Sequence, residues 1–278
     1  MRCATSMPRP IFIGDLVLMS APATGIHGVR TITLFNCLVS SLSFWQSPSD
    51  KIGDDGFSRP FAAYKRDFVQ RHEGLSLLIL ESKDPDADFR AANIAGSDTM
   101  RFEREGKCPD GSTVKVSFSL AFADDAAVPE IHFATCQQRY PQNFRNLAFQ
   151  RHANSVTGIA GVVVVAEQPD MQRNFFETFT GTKTARINGG FTIVTPRGEI
   201  DVLKPAAFVH RFGVTSPDVS LGARLAVLRF AVADPRLLEG VPEQAGISGL
   251  FAGNATVIGP GDAMGAVFVF EPAAQESG

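Results

Sequence analysis

The chain has 278 residues, 44% of them hydrophobic and 20% charged, enough to bury one or two ordinary cores without metal or disulfide support. A net charge of −3 and a pI near 6.0 give no electrostatic case for nucleic acid or an anionic membrane as the main partner. Cys3, Cys37, Cys108 and Cys136 stand far apart with no CxxC pair, which argues against a disulfide framework or a thiolate zinc site and points to a reducing, cytoplasmic compartment.

At the N-terminus, Ile11 to Met19 is apolar but interrupted by Asp15, so it reads only weakly as a cleavable signal, and no run approaches the roughly 18 apolar residues of a membrane span. Gly25-Ile26-His27-Gly28-Val29 is similar to Gly158-Ile159-Ala160-Gly161-Val162 further on, yet residues 1 to 50 hold no clean copy of the repeated plan that begins at Gly74. Phe57 to His72 is expected as a linking helix with Phe61, Tyr64 and Phe68 on one side.

From Gly74 the chain repeats one plan three times, as GLSLLILESKDP (Gly74 to Pro85), GIAGVVVVAEQP (Gly158 to Pro169) and RLAVLRFAVADP (Arg224 to Pro235). Each is an apolar run, then a polar residue and a proline, then a glycine stop at Gly96, Gly181 or Gly246: a buried strand leading into a Pro-started helix. Further strands come after each helix. The first unit predicts Met100 to Arg104, Val114 to Phe122 and Ile131 to Gln137; the second predicts helix Pro169 to Phe179, then Lys183 to Asn188, Phe191 to Thr195 and Glu199 to Leu203, with turns at Gly189-Gly190 and Pro196-Arg197-Gly198. The third runs from Leu225 to Glu271 with a poor helix broken by Gly240 and Pro242 and a last strand Ala266 to Phe270. These are tandem βαβββ modules of an α+β chain, with a join near Ala153 to Thr157. They imply an N-terminal domain over 1–154 and a C-terminal domain over 155–278. Either the first module of the N-terminal pair is abbreviated, or residues 1 to 50 are not a copy of it.

The tandem βαβββ plan with its leading "GI" strand resembles the vicinal oxygen chelate superfamily, the glyoxalase, bleomycin-resistance and extradiol dioxygenase group. Within it, FATCQQRYPQNF, QRHAN followed by TGIAGVVVVAE, and TPRGEIDVLKPAAF are similar to glyoxalase-like domain proteins. The resemblance implies paired modules curled into hollow half-barrels, with a divalent metal held by a His on each first strand and a Glu on each last strand. Carried over residue by residue, the first-strand slots hold Leu77, Gly161 and Val227, and the last-strand slots, aligned on Pro205 and Pro272, hold Asp201 and Phe268. Only Asp201 can ligate, and three protein ligands are what a catalytic metal needs. No cofactor is expected. His27 sits one residue off its slot, on the opposite strand face.

The strongest polar cluster is His132, Gln137, Gln138, Arg139, Tyr140, His152 and Asn154. Within it His152 and Gln138 are the candidate catalytic groups, with His152 able to move a proton near neutral pH. Gln137, Tyr140, Asn154 and Asp201 are the candidate substrate-binding groups. Each has a bland alternative: backbone satisfaction in the connection, or for Asp201 a solvated strand position. Cys136 reads as a buried structural thiol. Two functions remain open. One is a glyoxalase-like lyase or isomerase acting on a small oxygenated metabolite with a degraded or absent metal site; the other is a non-catalytic small-molecule binding protein of the bleomycin-resistance kind. In both the partner is a small molecule and the chain a monomer or homodimer.

Overall fold

The computed structural model describes residues 11–13, 16–18, 32–35, 68, 71–85, 87, 88, 99–107, 111–123, 128–143, 154–196, 198–244 and 246–273. Three short strands come first: β1 (Ile11–Ile13) and β2 (Leu16–Leu18) pair antiparallel, and β3 (Ile32–Phe35) belongs to a different sheet. The first repeat supplies β4 (Leu75–Glu81), β5 (Met100–Lys107), β6 (Thr113–Ala123) and β7 (His132–Gln138). The second supplies β8 (Val156–Val165), α1 (Pro169–Thr180), β9 (Ala185–Ile187), β10 (Gly190–Thr195) and β11 (Gly198–Leu203), and α2 (Pro205–Phe212) comes next. The third supplies β12 (Arg224–Val232), helical turns at Pro235–Leu238 and Val241–Gln244, then β13 (Gly249–Ala252), β14 (Ala255–Ile258) and β15 (Val267–Pro272).

Each repeat closes in the same way. Its leading strand pairs parallel with its last strand, β4 with β7, β8 with β11 and β12 with β15, and the middle strands form an antiparallel meander outward. In the C-terminal half the leading strands β8 and β12 pair antiparallel and fuse two modules into an eight-stranded sheet. In the N-terminal half β3 lies parallel to β4 in a five-stranded sheet, the opposite sense from β8 and β12. Ile32–Phe35 therefore does not do for β4 what β8 does for β12. His27 and most of the expected linking helix lie outside the described residues, which take in Phe68, Arg71 and His72 at its end.

The α1 helix starts on Pro169, whose missing N–H costs nothing at a first turn, and stops at Gly181 in the left-handed conformation (φ 66°). Its Phe176 and Phe179 pack on the sheet face that carries Val162, Val164, Phe191, Ile193, Ile200, Val202, Leu228, Phe230 and Phe268. From the other side Phe133 of β7 meets Phe175, Phe176 and Phe179 with ring centroids 4.8, 5.6 and 5.3 Å apart. The helix is thus held between the two sheets, and one apolar core runs through both halves.

Candidate functional site

In β7 alternate residues face opposite ways. Phe133, Thr135 and Gln137 share the face that looks toward α1, while His132, Ala134, Cys136 and Gln138 share the other with Leu77 and Ile79 of β4 and Phe118, Leu120 and Phe122 of β6. Gln137 and Gln138 therefore cannot grip one ligand from the same side. The Gln137 amide instead donates to the carbonyl of Lys83. His132 makes an edge contact with Phe122 at 6.3 Å, and lies six residues from Gln138, about 20 Å at roughly 3.3 Å per residue. Lys115 caps the ring of Tyr140 at 5.9 Å, and Asn154 accepts from the Val156 N–H at 3.3 Å, closing a local turn. His152 lies outside the described residues. Arg139 donates to the Ser119 hydroxyl at 2.9 Å, on the Gln137 side.

Gln138 differs from these neighbours. Both polar atoms of its amide, Oε1 and Nε2, are shut away from solvent with no hydrogen-bond partner among the described residues. Its cross-strand neighbour is Phe118, which is 1% exposed, and Cys136 two residues back is buried. A carboxamide enclosed beside apolar groups without partners costs about 1–3 kcal/mol, so folding alone does not account for it.

The eight-stranded sheet has a second polar centre, on the face opposite α1. Arg229 of β12 is 7% exposed and sits among three carboxylates, with its guanidinium 2.6 Å from Glu271, 2.9 Å from Glu199 and 3.1 Å from Asp201. Arg211 of α2 adds a second cation to Asp201 at 2.7 Å, and Asp201 itself is 2% exposed. Burial disfavours the charge on Arg229, but the hydrogen bonds to Glu271 and Glu199 and the charge of Asp201 outweigh it and hold the group above its usual range. Sequence reasoning put Asp201 on one strand face with Glu199 and missed Arg211, Arg229 and Glu271 as their company. The available signal was a charged residue inside the otherwise apolar central run Leu225 to Val232.

The rest of that face is filled, which corrects the expectation of a hollow cup. Val163, Val165, Leu203, Val227, Val257, Val267 and Val269 are all buried there against Phe208 and Phe212 of α2. The slot given to Phe268 is also corrected. Phe268 packs with the α1 core, and β15 presents Val267, Val269 and Glu271 to the other face. The proline alignment slipped because Pro205 opens a helix after β11 has ended, whereas Pro272 is still part of β15. A one-residue slip reverses the face.

A divalent ion is the group the superfamily resemblance implies. The described donors do not fit one. A Cβ placed on Gly161 would lie 2.4 Å from the Glu199 carbonyl oxygen, so the first-strand slot of β8 has no room for any ligating side chain. Leu77 and Val227 offer no donor, and the three carboxylates of the sheet already converge on Arg229. Among the described residues no three His, Cys, Asp or Glu side chains are arranged to hold an ion.

Residues 48–179 match the family described as glyoxalase-like domain, a stretch that takes in the five-stranded sheet from β4 onward together with β8 and α1. Over residues 48–179 the chain carries a glyoxalase-like domain. Solved structures of similar shape include a hypothetical protein from Staphylococcus aureus, at 13% identity over 70% of this chain and 64% of that one, with a TM-score of 0.43. The chain thus spans less than two thirds of that protein's length. Methylmalonyl-CoA epimerase from Mycobacterium tuberculosis matches at 17% identity over 47% of this chain and 97% of that one, with a TM-score of 0.36. A variant of the Streptomyces coelicolor methylmalonyl-CoA epimerase, in complex with 2-nitronate-propionyl-CoA, matches at 15% identity over 44% of this chain and 97% of that one, with a TM-score of 0.33. No curated protein matches the chain. Among the described residues no helix is long and apolar enough to cross a membrane.

Proposed function

We propose that this glyoxalase-like protein binds a small oxygenated metabolite on the five-stranded sheet, through the Gln138 carboxamide and without a resident divalent metal. The enclosed, unpartnered amide carries the reading. A carboxamide offers one acceptor and two donors in a plane, which matches a ligand with an oxygen acceptor beside a hydroxyl or amide donor, such as a 2-hydroxy acid or a small carboxamide. Leu77, Ile79, Phe118 and Cys136 supply apolar surface on the same face.

Binding without turnover is supported by the placement of the imidazole, because His132 is too far along the strand to serve the same atom, although Glu81, paired with Cys136, stands at the end of β4 on the same face. In this reading Asp201 keeps the C-terminal sheet together with Arg229, and the chain works as an N-terminal binding domain over 1–154 and a C-terminal support over 155–278. The dispersed cysteines support a reducing, cytoplasmic setting, and the small net charge supports a small-molecule partner. The second reading, a lyase or isomerase acting on the same ligand, rests on the family match, whose span includes both Gln138 and His152.

A thermal-shift screen of 2-hydroxy acids, 2-oxo acids and small carboxamides tests the binding site. At least one class should raise the melting temperature of the wild type and leave Gln138→Leu unmoved. A compound that shifts both proteins equally, or a screen in which no class shifts the wild type, would overturn the assignment. Proton NMR of that compound incubated with the wild type separates the two readings, with an unchanged spectrum expected for a binder.

A further inference from the structure

The two sheets meet at a junction that the binding site does not use. Gly74, just before β4, approaches Gly265, just before β15, so closely that a Cβ on Gly74 would lie 3.1 Å from the Gly265 carbonyl oxygen. A Cβ on Gly265 would meet Glu73 at 2.7 Å, and both glycines hold positive φ angles (118° and 78°) that other residues rarely adopt. Beside this backbone contact lies a chain of charged groups. Arg224, at the start of β12, is 2.9 Å from Nδ1 of His72. His72 Nε2 is 2.8 Å from Oε2 of Glu130, ahead of β7, and Arg71 closes on the other Glu130 oxygen at 2.6 Å. Phe68, 1% exposed, packs under both, with its ring 5.5 Å from the imidazole and 5.8 Å from the Arg224 guanidinium.

An arginine has no acceptor, so the contact at 2.9 Å requires a lone pair on Nδ1 and therefore a neutral imidazole. Protonation would set an N–H against an N–H and a cation against a cation. We propose that His72 is a pH-sensitive latch between the two sheets, holding Arg224 of the eight-stranded sheet while neutral and releasing it when Nδ1 is protonated. The charged groups around it pull in both directions: Arg224 from β12 and Arg71 from the preceding helical turn oppose protonation, Glu130 favours it, and Asp218, from the loop before β12, acts on the same pair. Burial is the largest influence, and with Arg224 it holds the imidazole below its ordinary 6.5 despite Glu130. A depressed folded-state midpoint means the unfolded chain takes up the proton first. The latch is intact above 6.5 and weakens as pH falls from there through the lowered value.

The test is carbon-13 NMR of the histidine rings in the intact wild-type chain, together with amide hydrogen exchange at about pH 7.5 and about pH 5, the window in which histidine titrates. The His72 midpoint should fall below 6.5. Amides of β4 and β12 should exchange faster at the lower pH, while those of β10, remote from the junction, keep their protection. In His72→Gln the side-chain oxygen accepts from Arg224 without titrating, so the acceleration at β4 and β12 should disappear. A His72 midpoint at or above 6.5, or equal acceleration in wild type and His72→Gln, would overturn the latch. Should that variant fail to fold, the wild-type midpoint and exchange decide the matter alone.

Discussion

The same module plan ends differently in the two sheets. In the eight-stranded sheet the face opposite α1 is completed by the chain itself: α2 lays Phe208 and Phe212 over the valines, and Arg229 supplies a fixed cation for Glu199, Asp201 and Glu271. In the five-stranded sheet the corresponding strands leave a carboxamide enclosed and unmatched at Gln138. On the face opposite α1 the charged groups are paired with one another, and Thr192, in register with Asp201, leaves a single hydroxyl rather than a whole amide unmatched. A face with an unmatched amide is built at a cost in stability that a ligand can return, which is why binding is assigned to the N-terminal half although the C-terminal half carries more charge.

The comparison breaks first if the C-terminal face proves open. Phe208→Ala removes a 1%-exposed ring from the packing and should lower stability by about 3–5 kcal/mol, read by urea unfolding. A loss below about 1 kcal/mol would mean that α2 rests loosely and that the face has room for a ligand. Next in size is Arg229→Met, which strands the nearly buried Asp201 and the half-buried Glu271. Breaking one partner out of a buried ionic group costs about 3–5 kcal/mol, although Arg211 keeps part of the charge on Asp201 compensated and places the expected loss at the lower end. A variant as stable as the wild type would show that the carboxylates are solvated and free for other work.

The repeat grammar made most strands and their order legible from residues alone. The three apolar runs, the alternation of Thr113–Ala123 and the glycine turns place the main strands from β4 onward close to their observed bounds, because each is a local rule about burial and backbone geometry. The α2 helix was not legible as a helix. Its eight residues are short for a periodic signal, yet Pro205 at its start, Phe208 and Phe212 one turn apart and the left-handed stop at Gly213 were all present. Phe268 failed for another reason: strand faces are set by pairing with a neighbour, and a proline in one repeat began a helix while its counterpart ended a strand. The adjacent Gln137 and Gln138 looked like a pair in sequence and are divided by the pleat. Arg229 became meaningful only when β11 and β15 brought their carboxylates to either side of β12.

A smaller effect sharpens the C-terminal side. Glu177 of α1 is held by Lys183 and by the backbone and hydroxyl of Thr184, which lower its carboxyl from 4.5 to about 2. Its contribution is therefore present above about pH 4.5 and lost as pH falls through about 2. The carboxyl carbon-13 shift of Glu177 should titrate near pH 2; a midpoint near 4.5 would show that the link from α1 to the segment leading into β9 is not formed in solution.

The most direct measurement of the central claim needs no ligand. It is the melting temperature of Gln138→Leu beside the wild type. Replacing an enclosed, unmatched amide by an apolar group of similar size should leave stability unchanged or raise it by up to about 1–3 kcal/mol, a higher melting temperature. A clear fall in melting temperature would contradict the account, because it would mean that Gln138 is a satisfied part of the fold and not a group awaiting a partner.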